Sequence, residues 1–184
     1  MSNLKVVYDA CVLYSAPLRD LLMELALTGL FRARWTNEIH DEWMRNVLKQ
    51  RPDLTRKQLE RTKNLMNAHG LDCLVEGYDH LISTLMLPDE HDRHVLAAAI
   101  KSSASLIITY NLKDFPMSQT KKHGIKAIHP DDFVTQVFLT NPKKVNETLL
   151  KHRHSLKNPP VIEGDYLKTL ERQQLKKFIT LITR

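Results

Sequence analysis

The hydrophobic positions of this chain change period several times, and the changes mark out its elements. Leu4 to Tyr8 (LKVVY) is a short apolar run suited to a strand covered on both faces. From Ala16 to Thr28 the leucines at 18, 21, 22 and 25 recur at helical spacing, and Gly29 supplies the stop. Thr36 to Gln50 reads as a helix capped by Thr36 or Asn37, with Ile39, Trp43 and Val47 spaced by four along one buried face. Thr55 to His69 predicts a charged outer helix anchored by Leu59 and by Leu65 or Met66, and Gly70 ends it. Leu71 to Val75 suggests a small edge strand, and Tyr78 to Met86 a helical turn.

The next stretch, Pro88 to Phe115, combines an acidic turn, a helix, a buried strand and a second acidic turn. Asp89 can cap a helix over Glu90 to Ser103, whose buried face is Val95, Leu96, Ala99 and Ile100. Leu106 to Tyr110 (LIITY) has the β-branched character of a parallel strand. A short helix, Pro116 to His123, closes at Gly124; a strand, Ile125 to His129, and a helix, Asp131 to Leu139, capped at Pro130 and Asp131, follow. This alternation of strands and helices predicts an α/β fold with a parallel sheet covered on both sides. Asn141-Pro142 and Asn158-Pro159-Pro160 interrupt it, leaving one helix over Lys143 to Leu156 and a second over Glu163 to Ile182. The expected division is a sheet domain, residues 1–140, and a helical extension, residues 141–184.

Charge separates the same two parts. The net charge is +6, yet residues 1–140 carry 17 basic and 17 acidic side chains against 10 and 4 in residues 141–184. The excess sits wholly in the extension, through Lys143, Lys144, Lys151, Arg153, Lys168, Arg172, Lys176 and Lys177 among others. It could face phosphates, or the last helix could pack its Leu167, Leu170, Leu175, Phe178, Ile179 and Ile182 stripe on the sheet domain or on a partner. A composition of 42% apolar and 26% charged residues suits one globular core, and no apolar run is long enough to span a bilayer. Cys11 and Cys73 lack metal-type spacing and the N-terminus does not resemble a signal peptide, so a cytoplasmic location is expected.

In an open α/β sheet, ligands bind beyond the carboxyl ends of the strands, which makes the polar residues directly after each strand the candidates for chemistry. Asp9 follows the first strand; Asn111 and Asp114 follow LIITY. Asp89 and Asp92 open the helix before it, and Glu42 lies beside Trp43, deeper in its helix than Glu38. Singly, each could be a cap, a turn residue or an exposed carboxylate. Together they bring acids from four elements to one expected edge. Crowded carboxylates repel unless a cation sits among them, and an all-oxygen set selects a hard ion, Mg²⁺ or Mn²⁺, as used in phosphodiester hydrolysis. His91 and His94, with Cys73 and His123 elsewhere, make a weaker zinc pattern. An α/β phosphatase would want DxDx[TV], whereas Asp9 is followed by Ala10 and Cys11.

Through VVYDACVLY, EIHDEWMRNVL, DEHDRHVLAAAI and IITYNLKDFP, over about residues 4 to 138, the chain resembles the PIN-domain ribonucleases, and in particular the VapC-type toxins of toxin-antitoxin pairs. SLKNPP followed by GDYLKTLERQQL resembles the C-terminal extension of one subgroup. The resemblance implies a three-layer α/β/α fold around a central parallel sheet. It implies a divalent-metal site cleaving RNA, with Asp9, Glu42, Asp92 and Asp114 as catalytic residues and Asp9, Glu42, Asp89, Asp92, Asn111 and Asp114 as metal ligands. The implied partners are RNA and a cognate antitoxin, and a homodimer is a further possible assembly. Many relatives place an acid directly after the fourth strand where this chain has Asn111, and Asp114 is expected to supply that carboxylate. A catalytically silent module that binds RNA or an antitoxin through the same fold is the alternative.

Overall fold

The structure is a computed structural model and describes residues 4–70, 72–157 and 159–183. β1 (Lys5–Tyr8) leads into α1 (Ala10–Tyr14), α2 (Ala16–Leu27) and β2 (Arg32–Arg34). Then come α3 (Asn37–Gln50), α4 (Arg56–His69), the single turn α5 (Asp79–Ile82), a 3₁₀ turn over Glu90–Asp92, and α6 (Arg93–Lys101). β3 (Leu106–Ile108) is followed by a 3₁₀ turn over Leu112–Asp114, α7 (Met117–Thr120), a 3₁₀ turn over Lys121–His123, and β4 (Lys126–Ile128). The helices α8 (Pro130–Thr140), α9 (Pro142–Ser155), α10 (Glu163–Arg172) and α11 (Lys176–Ile182) complete the described chain.

All four strands run parallel in one sheet of order β2-β1-β3-β4, with Val7 opposite Arg34 on one side and Ile107 on the other. Consecutive strand residues point to opposite faces, and Val6, Val7 and Tyr8 are all fully buried, so both faces of β1 are covered. This gives the expected three layers. Tyr8 donates its hydroxyl to the Leu22 carbonyl of α2 at 3.1 Å, while α6 packs along β1 and β3. Strand order reverses between β1 and β3, so the crevice at their carboxyl ends is where a ligand would sit.

Several expected bounds shift. The helix expected over Glu90–Ser103 begins as a 3₁₀ turn, with Asp89 capping the His91 amide at 2.9 Å, and becomes α-helical only at Arg93. His129, not Asp131, caps α8: its Nδ1 accepts the Asp131 amide at 3.1 Å. In place of an edge strand over Leu71–Val75, Leu74 makes an isolated parallel bridge to Trp35; Leu71 lies outside the described residues, as does Asn158 of the second interruption. β2 and α1 carry no periodic signal, being three and five residues long. Met66, rather than Leu65, joins Leu59 in anchoring α4.

The last helix, expected unbroken from Glu163 to Ile182, divides at Gln173–Leu175, with Gln174 at φ 61°. The cause is tertiary. Asp131, 5% exposed, takes the Lys177 and Phe178 amides on its two carboxylate oxygens, both at 2.9 Å, and so caps a new helix aimed at α8. Leu170, Leu175 and Phe178 are fully buried and belong to the same core as Val6 and Ile107. The apolar stripe of the extension therefore packs on the sheet domain. Among the described residues four of its cations are ion-paired: Lys151 with Glu24, Arg153 with Glu163, Lys168 with Asp165, and Lys177 with Asp132.

Candidate metal and catalytic site

Asp9 leaves β1 at the switch point and is 3% exposed. Its amide donates to the Ile108 carbonyl at 3.1 Å, which ties the ends of β1 and β3 together. Its carboxylate accepts the Thr109 hydroxyl at 2.6 Å and the Cys11 thiol at 3.1 Å. Burial pushes the Asp9 pKa up; the Thr109 and Cys11 hydrogen bonds oppose that rise, and the charge of Glu42 adds to it. Thr109, fully buried at the end of β3, also accepts the Asn111 amide at 2.9 Å.

Asp92 stands half-buried at the start of α6, and its pKa is raised to about 7. Burial is the largest cause, and the charges of Asp9, Asp89, Asp114 and Glu42 add to it in that order. These are the acids that the sequence places with Asp92 at one expected edge. Among the described residues, however, no three His, Cys, Asp or Glu side chains stand close enough to hold a metal ion as they are placed. The donors agree in kind with a hard cation, being oxygens of one charge sign around a carboxyl that resists ionising.

Glu42 comes from α3, whose Ile39 and Trp43 are fully buried. His94 of α6, 5% exposed, reaches across to it, with Nε2 3.4 Å from Glu42 Oε2 and Nδ1 3.7 Å from Glu38 Oε2. Burial alone would lower the His94 pKa, but the Glu42 hydrogen bond and the charges of Glu38, Glu42 and Asp9 outweigh it and leave it raised. Glu38 also accepts the Tyr78 hydroxyl at 3.2 Å. A cleft of about 420 Å³ opens here, lined by Glu38, Asp41, Glu42, Arg45, His91 and His94. A cavity of similar size, about 450 Å³, shares none of these residues and lies among α2, α4 and α9.

Asp114 ends the 3₁₀ turn after β3, donating its amide to the Asn111 carbonyl at 3.0 Å, and is half-buried; Asn111 and Asp89 are exposed. Thr109 and Cys11 are site neighbours that sequence reasoning misses, and His94 is one to which it gives a different role. Thr109 could be found as the last polar residue on the inner register of LIITY, and Cys11 as the residue two after Asp9. The sequence pattern presents His94 only as a weak zinc ligand, whereas the structure makes it the partner of Glu42.

Comparison with known proteins identifies the family. Residues 130–184 match the VapC50 C-terminal domain. A Mycobacterium tuberculosis (strain ATCC 25618 / H37Rv) protein named "Putative ribonuclease VapC50" is 36% identical over 99 residues, which are 53% of this chain and 57% of that protein. The chain thus spans little more than half the length of this curated relative. Residues 5–113, the span that holds β1 to β3 and the acids at their carboxyl ends, match the PIN domain, and the chain belongs to the PIN-domain family.

Proposed function

We propose that this chain is a divalent-metal-dependent endoribonuclease, a hydrolase of RNA phosphodiester bonds, and acts in the cytoplasm as the toxin of a toxin-antitoxin pair. The observation that carries this reading is the environment of Asp92: a half-buried carboxyl at the switch point, raised to about 7 by burial and by Asp9, Asp89, Asp114 and Glu42. The named relative supports the RNA substrate, and membership of the family supports the fold on which the site is built.

In this reading Asp9, Glu42, Asp89, Asp92, Asn111 and Asp114 would hold Mg²⁺ or Mn²⁺, with Asp9, Glu42, Asp92 and Asp114 nearest the chemistry. Such an ion supplies positive charge to the carboxylates and the phosphoryl group and acidifies a water for in-line attack. The chain's own part is to fix the donors. Thr109 and Cys11 aim Asp9, His94 holds Glu42 against α6, and the β3 turn presents Asn111 and Asp114. Residues 1–140 form the nuclease unit, with residues 141–184 as the extension packed on it. A cognate antitoxin and a second copy of the chain are the proposed protein partners. Among the described residues no helix is long and apolar enough to cross a membrane.

The test is cleavage of single-stranded RNA by the purified chain with Mg²⁺, with Mn²⁺ and with EDTA. Cleavage that requires metal and stops with EDTA is expected. Cleavage that survives EDTA refutes the metal dependence, and RNA retention with no cleavage under any condition identifies a silent binding module instead.

A further inference from the structure

Tyr110 stands between Thr109, which holds Asp9, and Asn111, yet its side chain turns toward the C-terminal extension. Its hydroxyl donates to the Gln173 carbonyl at 2.8 Å, and its ring meets that of His129 edge-on at 5.1 Å. Gln173 opens the α10–α11 turn, and the far side of that turn is gripped by Asp131 through the Lys177 and Phe178 amides. Asp131 follows His129 in the first turn of α8, where His129 caps it. The contacts form a ring that runs from Tyr110 to Gln173, through α11 to Asp131, and back through His129.

The loop that this ring meets has few other anchors. Beyond Thr109, whose amide donates to the Ile128 carbonyl of β4 at 3.1 Å, its amides bond locally or to the site, Asn111 to the Thr109 hydroxyl and Tyr110 to the Cys11 sulfur at 3.3 Å, until Phe115 is buried at 2% exposure. We propose that Tyr110 is a positioning residue, through which the α10–α11 turn holds the loop bearing Asn111 and Asp114 in register with Asp9 and Asp92. The C-terminal extension is then part of the site's framework, whatever RNA contacts its lysines make. The catalytic consequence rests on the nuclease reading; the mechanical one does not.

The test is a double-mutant cycle in the full chain, using Tyr110→Phe, which removes the donor, and Gln174→Val, which places a β-branched residue at φ 61° and displaces the acceptor. Gln174→Gly, which suits that φ, is the control. Hydrogen exchange at the Asn111 and Asp114 amides is expected to speed up about five-fold in either variant, the effect of removing one hydrogen bond. The double variant should show no further increase, and Gln174→Gly should exchange as the wild type does. Mn²⁺ affinity should fall by a similar factor with the same non-additivity, and kcat should fall while KM for RNA holds. Additive effects, or unchanged exchange and Mn²⁺ affinity in Tyr110→Phe, would overturn the proposal. A wild-type chain that neither binds Mn²⁺ nor cleaves RNA refutes the nuclease reading alone, and the exchange measurement then still decides the coupling.

Discussion

Replacing Thr109 by Val tests how the site holds its most buried carboxylate. The Thr109 hydroxyl reaches Asp9 at 2.6 Å with both residues essentially out of solvent, at 0% and 3% exposure. Valine keeps the shape and removes the donor. The Asp9 carboxylate would be left with the Cys11 thiol at 3.1 Å and the Ala10 amide, and the Asn111 amide would be released to water. A hydrogen bond to a buried charged acceptor contributes ~2 kcal/mol, within a range of about 1.5–3. Burial already raises the Asp9 pKa, so removing this bond raises it further and makes the proton harder to displace. Mn²⁺ binding at pH 7 should therefore weaken by about 30-fold, from that ~2 kcal/mol at 1.4 kcal/mol per decade. The deficit should shrink as pH rises from 6 to 8. Thr109→Ser retains the donor and should bind within about two-fold of wild type. The assay is Mn²⁺ titration of all three proteins at pH 6, 7 and 8, with urea midpoints as a folding check. If Val binds as well as Ser, the hydroxyl does not orient Asp9; if Ser is weakened as much as Val, the methyl group matters and the hydrogen bond does not.

Asp9→Asn and Asp92→Asn should each abolish metal-dependent cleavage while leaving the urea midpoint unchanged or raised at pH 8, because both remove charge from a repelling set; unfolding or retained cleavage would refute the ligand assignment. Asp114→Ala should weaken Mn²⁺ binding more than Asn111→Ala, since only the carboxylate contributes charge; equal weakening would place the amide in the ligand position. His40 is fully buried, its Nε2 bonded to Asn67 at 3.0 Å and its Nδ1 accepting Trp43 Nε1 at 3.0 Å, and burial lowers its pKa from 6.5 to about 4. Between those values the unfolded chain takes up a proton that the folded chain refuses, so stability should fall as pH drops through that window, by up to about 3 kcal/mol. Asp92 acts in the opposite sense: between 3.8 and about 7 the folded chain keeps a proton that the unfolded chain releases, and stability is gained as pH falls. Urea midpoints should hence decline more steeply from pH 7 to 4 in Asp92→Asn than in wild type, and parallel curves would refute this pairing. Lys143, Lys144 and Lys176 make no ion pair among the described residues, and changing all three to Gln should lower RNA affinity and flatten the log-log salt slope by about 0.7 for each phosphate no longer bound; an unchanged slope would mean that these lysines touch no phosphate.

Local pattern alone determined the longer elements and the acids at their ends. The leucines of α2, the Ile39, Trp43 and Val47 face of α3 and the β-branched LIITY run are strong because each extends over enough residues to show a period. Asp9 and Asp114 could be singled out because in a parallel sheet the polar residues after a strand are placed by the strand itself, and Asp92 because it opens the helix that leads into β3. β2 and α1 are too short to carry a period, and pairing with β1 and packing on α3 decide them. Only the tertiary structure could show that Thr109 reaches Asp9, or that His94 spans to Glu42, since these pairs come from elements that are distant in the chain; Cys11, two residues after Asp9, is a local neighbour. The same holds for the break at Gln174. Its helical stripe continues unbroken through the sequence, and what divides it is a buried carboxylate 46 residues upstream that satisfies the amides of Lys177 and Phe178. Helix propensity is a weak local preference, and two charge-assisted hydrogen bonds from a buried acceptor outweigh it.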